Sequence, residues 1–242
     1  MAKHKGPPLG ILAIVFTVLF NLGLYFVISF SPDRPHYPGP WESAETIAAY
    51  FQGHPRDVLW CAFLHFGSAV PLGIFAATIV SRLQFLGVKA AGSYIALFGG
   101  LGTAFGMGIS SLALWVMAYP GIEQDASVLR ALYYFVFAVG GVGYSVPLGL
   151  LIAGVSVTAG FMKLLPKWLV GFGLLLAACG EASWISLIWP KALFLIPLTR
   201  FPGFLWLIAT GFMLPTSVVS QRTSEFKAAR NTAPSPAATV HP

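Results

Sequence analysis

The sequence predicts an all-α, polytopic membrane protein: a six-transmembrane-helix bundle with a short interfacial helix in the first outer loop. Three observations predict it. Of the 242 residues 57% are hydrophobic and 9% charged, whereas an ordinary soluble domain is about 25% charged. Such a chain cannot cover its own core with a water-facing surface, which excludes a soluble enzyme, a nucleic-acid-binding module and a disordered chain. Six apolar stretches, at about residues 9–30, 58–81, 91–118, 129–157, 167–189 and 201–220, each reach the roughly 20 residues that a helix needs to cross the hydrocarbon. Alternation at strand period is absent and the runs are too long for barrel strands, so helices are expected over a β-barrel.

The first stretch follows Lys3 and Lys5 and superficially resembles a signal peptide. Its apolar run is too long for the core of one, and no small-x-small cleavage site follows Phe30, so a retained anchor is expected. The loop after it opens with Pro32, Pro35, Pro38 and Pro40, which forbid helix and favour an extended path. Trp41 to Gln52 then reads as a short helix, with Pro40 near its first turn, Glu42 and Glu45 early and Gly53 as its stop. Trp41, Ile47, Tyr50 and Phe51 suit it to lying in the interface, where it caps the bundle or serves as a plain surface anchor.

Crossing 3 carries small-residue stripes through Gly102 and Gly106, and crossing 4 a similar stripe through Gly141 and Gly149. Helix association in lipid rests on close backbone approach, so these glycines are read as packing positions. Pro71 in crossing 2 and Pro147 in crossing 4 are expected to kink their helices. They sit in similar segments, Gly67-Ser-Ala-Val-Pro-Leu-Gly73 and Gly143-Tyr-Ser-Val-Pro-Leu-Gly149, 76 residues apart, which reads either as a parallel repeat or as chance. Residues 191–199 are apolar but too short to cross and are expected to dip into the outer leaflet. Residues 1–220 form one membrane domain on this reading. Residues 221–242 are a polar, proline-containing tail expected to be disordered in the cytoplasm.

Charge sets the expected orientation. With the N-terminus inside, inner segments carry Lys3, Lys5, Arg82, Lys89, Lys163, Lys167, Arg222, Lys227 and Arg230, and outer segments carry Arg34, Arg56, Arg130, Lys191 and Arg200. Nine against five obeys the positive-inside rule and places both termini in the cytoplasm, with the protein in the cell inner membrane. The net charge of +6 comes from these flanking residues and points to anionic lipid headgroups, not nucleic acid.

Polar side chains within crossings generally face protein or a wet cavity, because lipid penalises them. Glu181 is the only carboxylate inside a crossing and His65 the only histidine. Counted inward from the outer ends they lie about 10 Å and 12 Å deep, His65 first. A direct hydrogen bond between them is feasible if crossings 2 and 5 are neighbours. Asn21 lies at middle depth on a seam with Thr17, Tyr25 and Ser29, Ser110 lies in the outer half of crossing 3, and Arg200 stands where crossing 6 begins. His65, Glu181, Asn21, Ser110 and Arg200 are therefore the candidate ligand-binding or proton-relay residues, set against a purely structural interhelical bond. Cys61 and His65 share a helix face, but Cys179 and Glu181 point apart, so no metal site is expected. No cofactor is expected either.

Two segments carry a resemblance. Thr46-Ile-Ala-Ala-Tyr-Phe-Gln-Gly-His-Pro-Arg56 runs straight into crossing 2, and Met162-Lys-Leu-Leu-Pro-Lys-Trp-Leu-Val-Gly-Phe-Gly173 opens crossing 5. In these the chain resembles a family of small bacterial membrane proteins catalogued as domain of unknown function 4386. The resemblance implies a six-helix bundle and supplies no activity or site residue. The expected function is binding, with transport as an extension, of a small or lipid-like ligand in an outer-leaflet pocket around Glu181 and His65. The alternatives are a non-catalytic helper or assembly subunit, with a membrane protein partner or a second copy, and a membrane enzyme using Glu181 and His65 as acid and base.

Overall fold

Apolar helices in a bilayer must satisfy every backbone group internally, and the described residues do so with eight α-helices. In the computed structural model residues 3–28 and 36–217 are described. The helices are α1 (Leu9–Val27), α2 (Ala44–Gly53), α3 (Pro55–Phe85), α4 (Gly92–Met117), α5 (Ala126–Gly140), α6 (Val142–Phe161), α7 (Lys167–Ala182) and α8 (Leu195–Met213). Six segments are long and apolar enough to cross a membrane, α5 and α6 together making one. Among the described residues the only β pairing is a single bridge between Lys3 and Ser217.

The spans form a closed ring in chain order. α1 packs on α3, α3 on α4, α4 on α6, α6 on α7, α7 on α8, and α8 returns to α1. Phe16, Phe20, Leu72, Phe75, Tyr144 and Trp206 fill the interior, each at most 3% exposed. The outer face is the reverse: Phe63, Phe98, Phe105 and Leu205 are each 66–70% exposed, as a surface solvated by lipid requires. α2 lies at one end of the ring and packs mainly on α5. At the opposite end the segment before α1 meets the segment after α8, where the His4 amide donates to the Thr216 carbonyl at 2.9 Å.

Glycine accounts for the closest approaches. A Cβ at Gly106 of α4 would stand 2.8 Å from the Gly143 carbonyl oxygen of α6, the same carbonyl that Pro147 deprives of its helical donor. Gly102 faces the Pro147 ring, and Gly149 of α6 lies against the Ala177 carbonyl of α7. These three expected packing glycines therefore pack. Gly141 lies against Ile196 of α8 and also breaks the fourth crossing between α5 and α6, with φ −88° and ψ −92°. Its backbone bends where a Cβ would meet the Phe137 carbonyl at 2.5 Å. The helices continue through Pro71 and Pro147, so the interruption in crossing 4 falls at glycine and not at proline.

Three boundaries differ from expectation. The loop helix starts at Ala44, because Ser43 caps it by accepting from the Thr46 amide at 3.2 Å. It is also less of an interfacial anchor than expected: Ile47, Ala48, Tyr50 and Phe51 are buried in the bundle, while Trp41 stays 69% exposed. Crossing 5 ends as α-helix at Ala182 and continues as 3₁₀ turns at Ser183–Leu187 and Pro190–Phe194. Crossing 6 begins at Leu195, so residues 195–199, expected to dip into the leaflet, are its first turn. The expected disordered tail, 221–242, lies outside the described residues.

Candidate functional site

The early start of α8 moves Arg200 from the rim of the bundle to a position more than a turn inside it. There it borders a cavity of about 370 Å³ at the α2 end, enclosed by α1, α3, α4, α5, α6 and α8. The guanidinium donates through Nη2 to the Gly140 carbonyl. That carbonyl is available because the break at Gly141 ends α5, and the last four carbonyls of a helix have no partner within it. The negative end of the α5 dipole also favours a cation there. The guanidinium carbon lies 4.5 Å from the Tyr144 ring centre and 5.4 Å from that of Phe20. Two aromatic faces and one carbonyl thus disperse the charge. Among the described residues no carboxylate pairs with Arg200, and its Nε has no hydrogen-bond partner.

His65 enters the same cavity from α3. Its Nε2 lies 3.1 Å from the Phe20 carbonyl oxygen. A carbonyl only accepts, so Nε2 carries the proton and Nδ1 is the acceptor, 3.6 Å from the Cys61 thiol. The imidazole stacks on the Phe20 ring at 4.4 Å. Gly23 on α1 makes this possible, since a Cβ there would stand 2.5 Å from His65 Cδ2. Ser110 of α4 also lines the cavity and donates to the Val136 carbonyl at 3.1 Å.

The segment leading into α2 forms the roof. Tyr37 and Trp41 line the cavity, and Tyr133 of α5 donates to the Pro38 carbonyl at 2.5 Å, tying the segment down. Burial, then the neighbouring Tyr133, push the Tyr37 hydroxyl well above its usual range, so it stays a neutral phenol. The Tyr144 hydroxyl is buried without a partner.

Three of the five sequence candidates, His65, Ser110 and Arg200, therefore line one cavity. Glu181 and Asn21 do not. Glu181 projects from α7 against Gly149 of α6, and α3 and α7 are not among the helix pairs that pack together. The condition for a His65–Glu181 hydrogen bond is thus unmet. Glu181 Oε1 is instead buried without a partner. Asn21 is exposed on the outer face of α1, where its amide donates to the Thr17 carbonyl at 2.7 Å. Sequence reasoning missed Tyr144, although it stands inside the Gly143–Gly149 segment singled out as a repeat, and missed Gly140, whose role depends on the break beside it. Neither family models, curated proteins nor solved structures show a match to the chain.

Proposed function

We propose that the protein binds a small amphipathic anion, a carboxylate or phosphate on an apolar body, in the cavity at the α2 end. The observation that carries this is Arg200: a guanidinium inside the bundle, without a carboxylate among the described residues and with Nε unpartnered. A charge within a spanning bundle that has no counter-ion is expensive and tends to mark a ligand or ion path. Arginine offers a planar fork of donors matched to carboxylate and phosphate oxygens. His65, Ser110, Ser111, Tyr37, Tyr133 and Tyr144 add polar atoms to walls that are mainly apolar, the usual make-up of a small-molecule site, and about 370 Å³ falls within its size range.

Binding is favoured over catalysis because the acid–base pair an enzyme would need is not assembled: Glu181 faces α6, away from His65. The distribution of lysine and arginine supports an orientation with the termini in the cytoplasm of an inner-membrane protein, which turns the cavity outward. Transport would add an inward-open state to this reading.

The test uses dodecanoate and dodecanol, which share a chain and differ in charge. Purified protein in mild detergent is expected to bind dodecanoate and to prefer it to the alcohol. Removing one partner of such a charge pair typically costs about 2–5 kcal/mol, so Arg200→Gln is expected to weaken dodecanoate by at least about 30-fold and to leave dodecanol unchanged. Equal affinity of the wild type for both probes would sink the proposal.

A further inference from the structure

We infer that a second hollow, on the outside of the ring between α3 and α4 at the α2 end, is a binding site for one anionic phospholipid. Its acyl chain fills the groove and its phosphate sits on Arg56. The groove encloses about 690 Å³. Its walls are aromatic: Trp60, Phe63 and Phe66 from α3 face Trp115 from α4, each 45–66% exposed. Its floor is made of small residues, Ala62 and Gly67 from α3 and Ser111 from α4. Gly67 is decisive. A Cβ built there meets nothing within 4 Å, so the notch is left open by the protein itself and no neighbouring side chain fills it.

The occupant follows from where the groove lies. It faces outward from two helices that are each long and apolar enough to cross a membrane, and an empty notch on such a face would forfeit the dispersion contacts of its lining. A hydrocarbon chain supplies them. The cation decides which lipid. Arg56 is exposed in the first turn of α3, at the end of that span, and borders the groove. Neither described ion pair includes it: the adjacent acid, Asp57, pairs with His54 at 3.7 Å. The N-terminus of α3 adds the positive end of a helix dipole at the same place. Trp60 stands near the start of α3 and Trp115 near the end of α4, and tryptophan is enriched at such span ends, where it anchors to headgroups. A second copy of the chain packed here would bring an apolar helix and leave Arg56 without a counter-charge; a phospholipid satisfies both ends of the groove.

Native mass spectrometry of the full-length protein, with equimolar dioleoyl phosphatidylglycerol and dioleoyl phosphatidylcholine, tests this. The wild type is expected to retain the glycerol lipid about fivefold over the choline lipid, the preference that one basic residue near the surface contributes. Arg56→Gln is expected to bring that ratio close to unity, and Arg130→Gln, at another arginine of the α2 end, to leave it intact. Gly67→Leu places its Cβ in open space, so the variant is expected to keep its wild-type thermal midpoint and to lower retention of both lipids. A ratio unchanged by Arg56→Gln, full retention by Gly67→Leu, or a bound mass equal to a second chain would overturn the inference. Dodecanoate binding at the cavity is a separate readout, unaffected by either substitution.

Discussion

Gly23 holds the histidine in place. Its missing Cβ is what allows the His65 ring to lie against α1, with the Cys61 carbonyl only 3.3 Å from the position a methyl would take. Gly23→Ala is expected to lower stability by about 1–3 kcal/mol, the usual cost of overpacking, and to weaken dodecanoate as His65 is displaced. Asn21→Leu is expected to change stability by no more than about 0.5 kcal/mol, because the amide faces away from the bundle. Thermal midpoints of the two variants check the pair; a larger loss for Asn21→Leu would contradict the assigned facing. The same contrast explains what composition and spacing revealed of the site. A polar residue in a crossing needs a partner, which singled out His65 and Ser110; both line the cavity, together with Arg200, which was singled out as the residue where crossing 6 begins. Asn21 meets that need within its own helix, through the Thr17 carbonyl, and so tolerates lipid. Depth counting placed His65 and Glu181 level with one another, but depth carries no information about which side of a ring a residue occupies.

Among the helices, α4 and α6 make the contact most dependent on glycine. Gly106→Ala drives a methyl against the Gly143 carbonyl at 2.8 Å and is expected to destabilise by about 1–3 kcal/mol. Gly67→Ala, also mid-helix but facing open space, is expected to stabilise by about 0.5–1 kcal/mol, the ordinary gain of alanine over glycine. Unfolding in a denaturing detergent series distinguishes them, and two losses of equal size would show that the notch is not open. Crossings 1 to 3 were readable to within about four residues because hydrophobic length alone defines a span. The start of crossing 6 was not. Arg200 looked like a boundary because a charge normally ends an apolar run, whereas here Tyr144, Phe20 and the Gly140 carbonyl accommodate it inside. The division of crossing 4 was hidden for a related reason: Pro147 drew attention, while the helix is interrupted at Gly141.

Taken together the spans close a ring whose circular order no hydropathy pattern encodes, since each apolar face is equally content with lipid or with any neighbour. α8 closes it on α1, where Gly10 and Gly211 let the two backbones meet, and a junction of both ends of the described chain with α3 adds to the closure. His4 Nε2 lies 3.0 Å from the Ser81 hydroxyl, and Arg82 reaches the Leu214 carbonyl at 3.5 Å. Burial, then the Arg82 charge, hold the His4 imidazole below its ordinary 6.5. The unfolded chain therefore takes up the proton first, so the contribution of His4 is complete above pH 6.5 and is lost as pH falls through the folded value. Between pH 7.5 and 5.5 the wild type is expected to lose on the order of 1 °C more in thermal midpoint than His4→Phe; parallel curves would dissociate His4 from the junction. The junction also imposes an order on biosynthesis. α1 leaves the ribosome first, yet its second neighbour, α8, is the last span made. Until then the chain is an open crescent, with His65 and Ser110 bordering a gap and Arg200 not yet in place. The cavity comes into being only when the final helix docks, and whatever binds there stabilises finished molecules alone. Occupancy is thus a signature of completed assembly, and a chain that stops short of Leu195 has nothing with which to earn it.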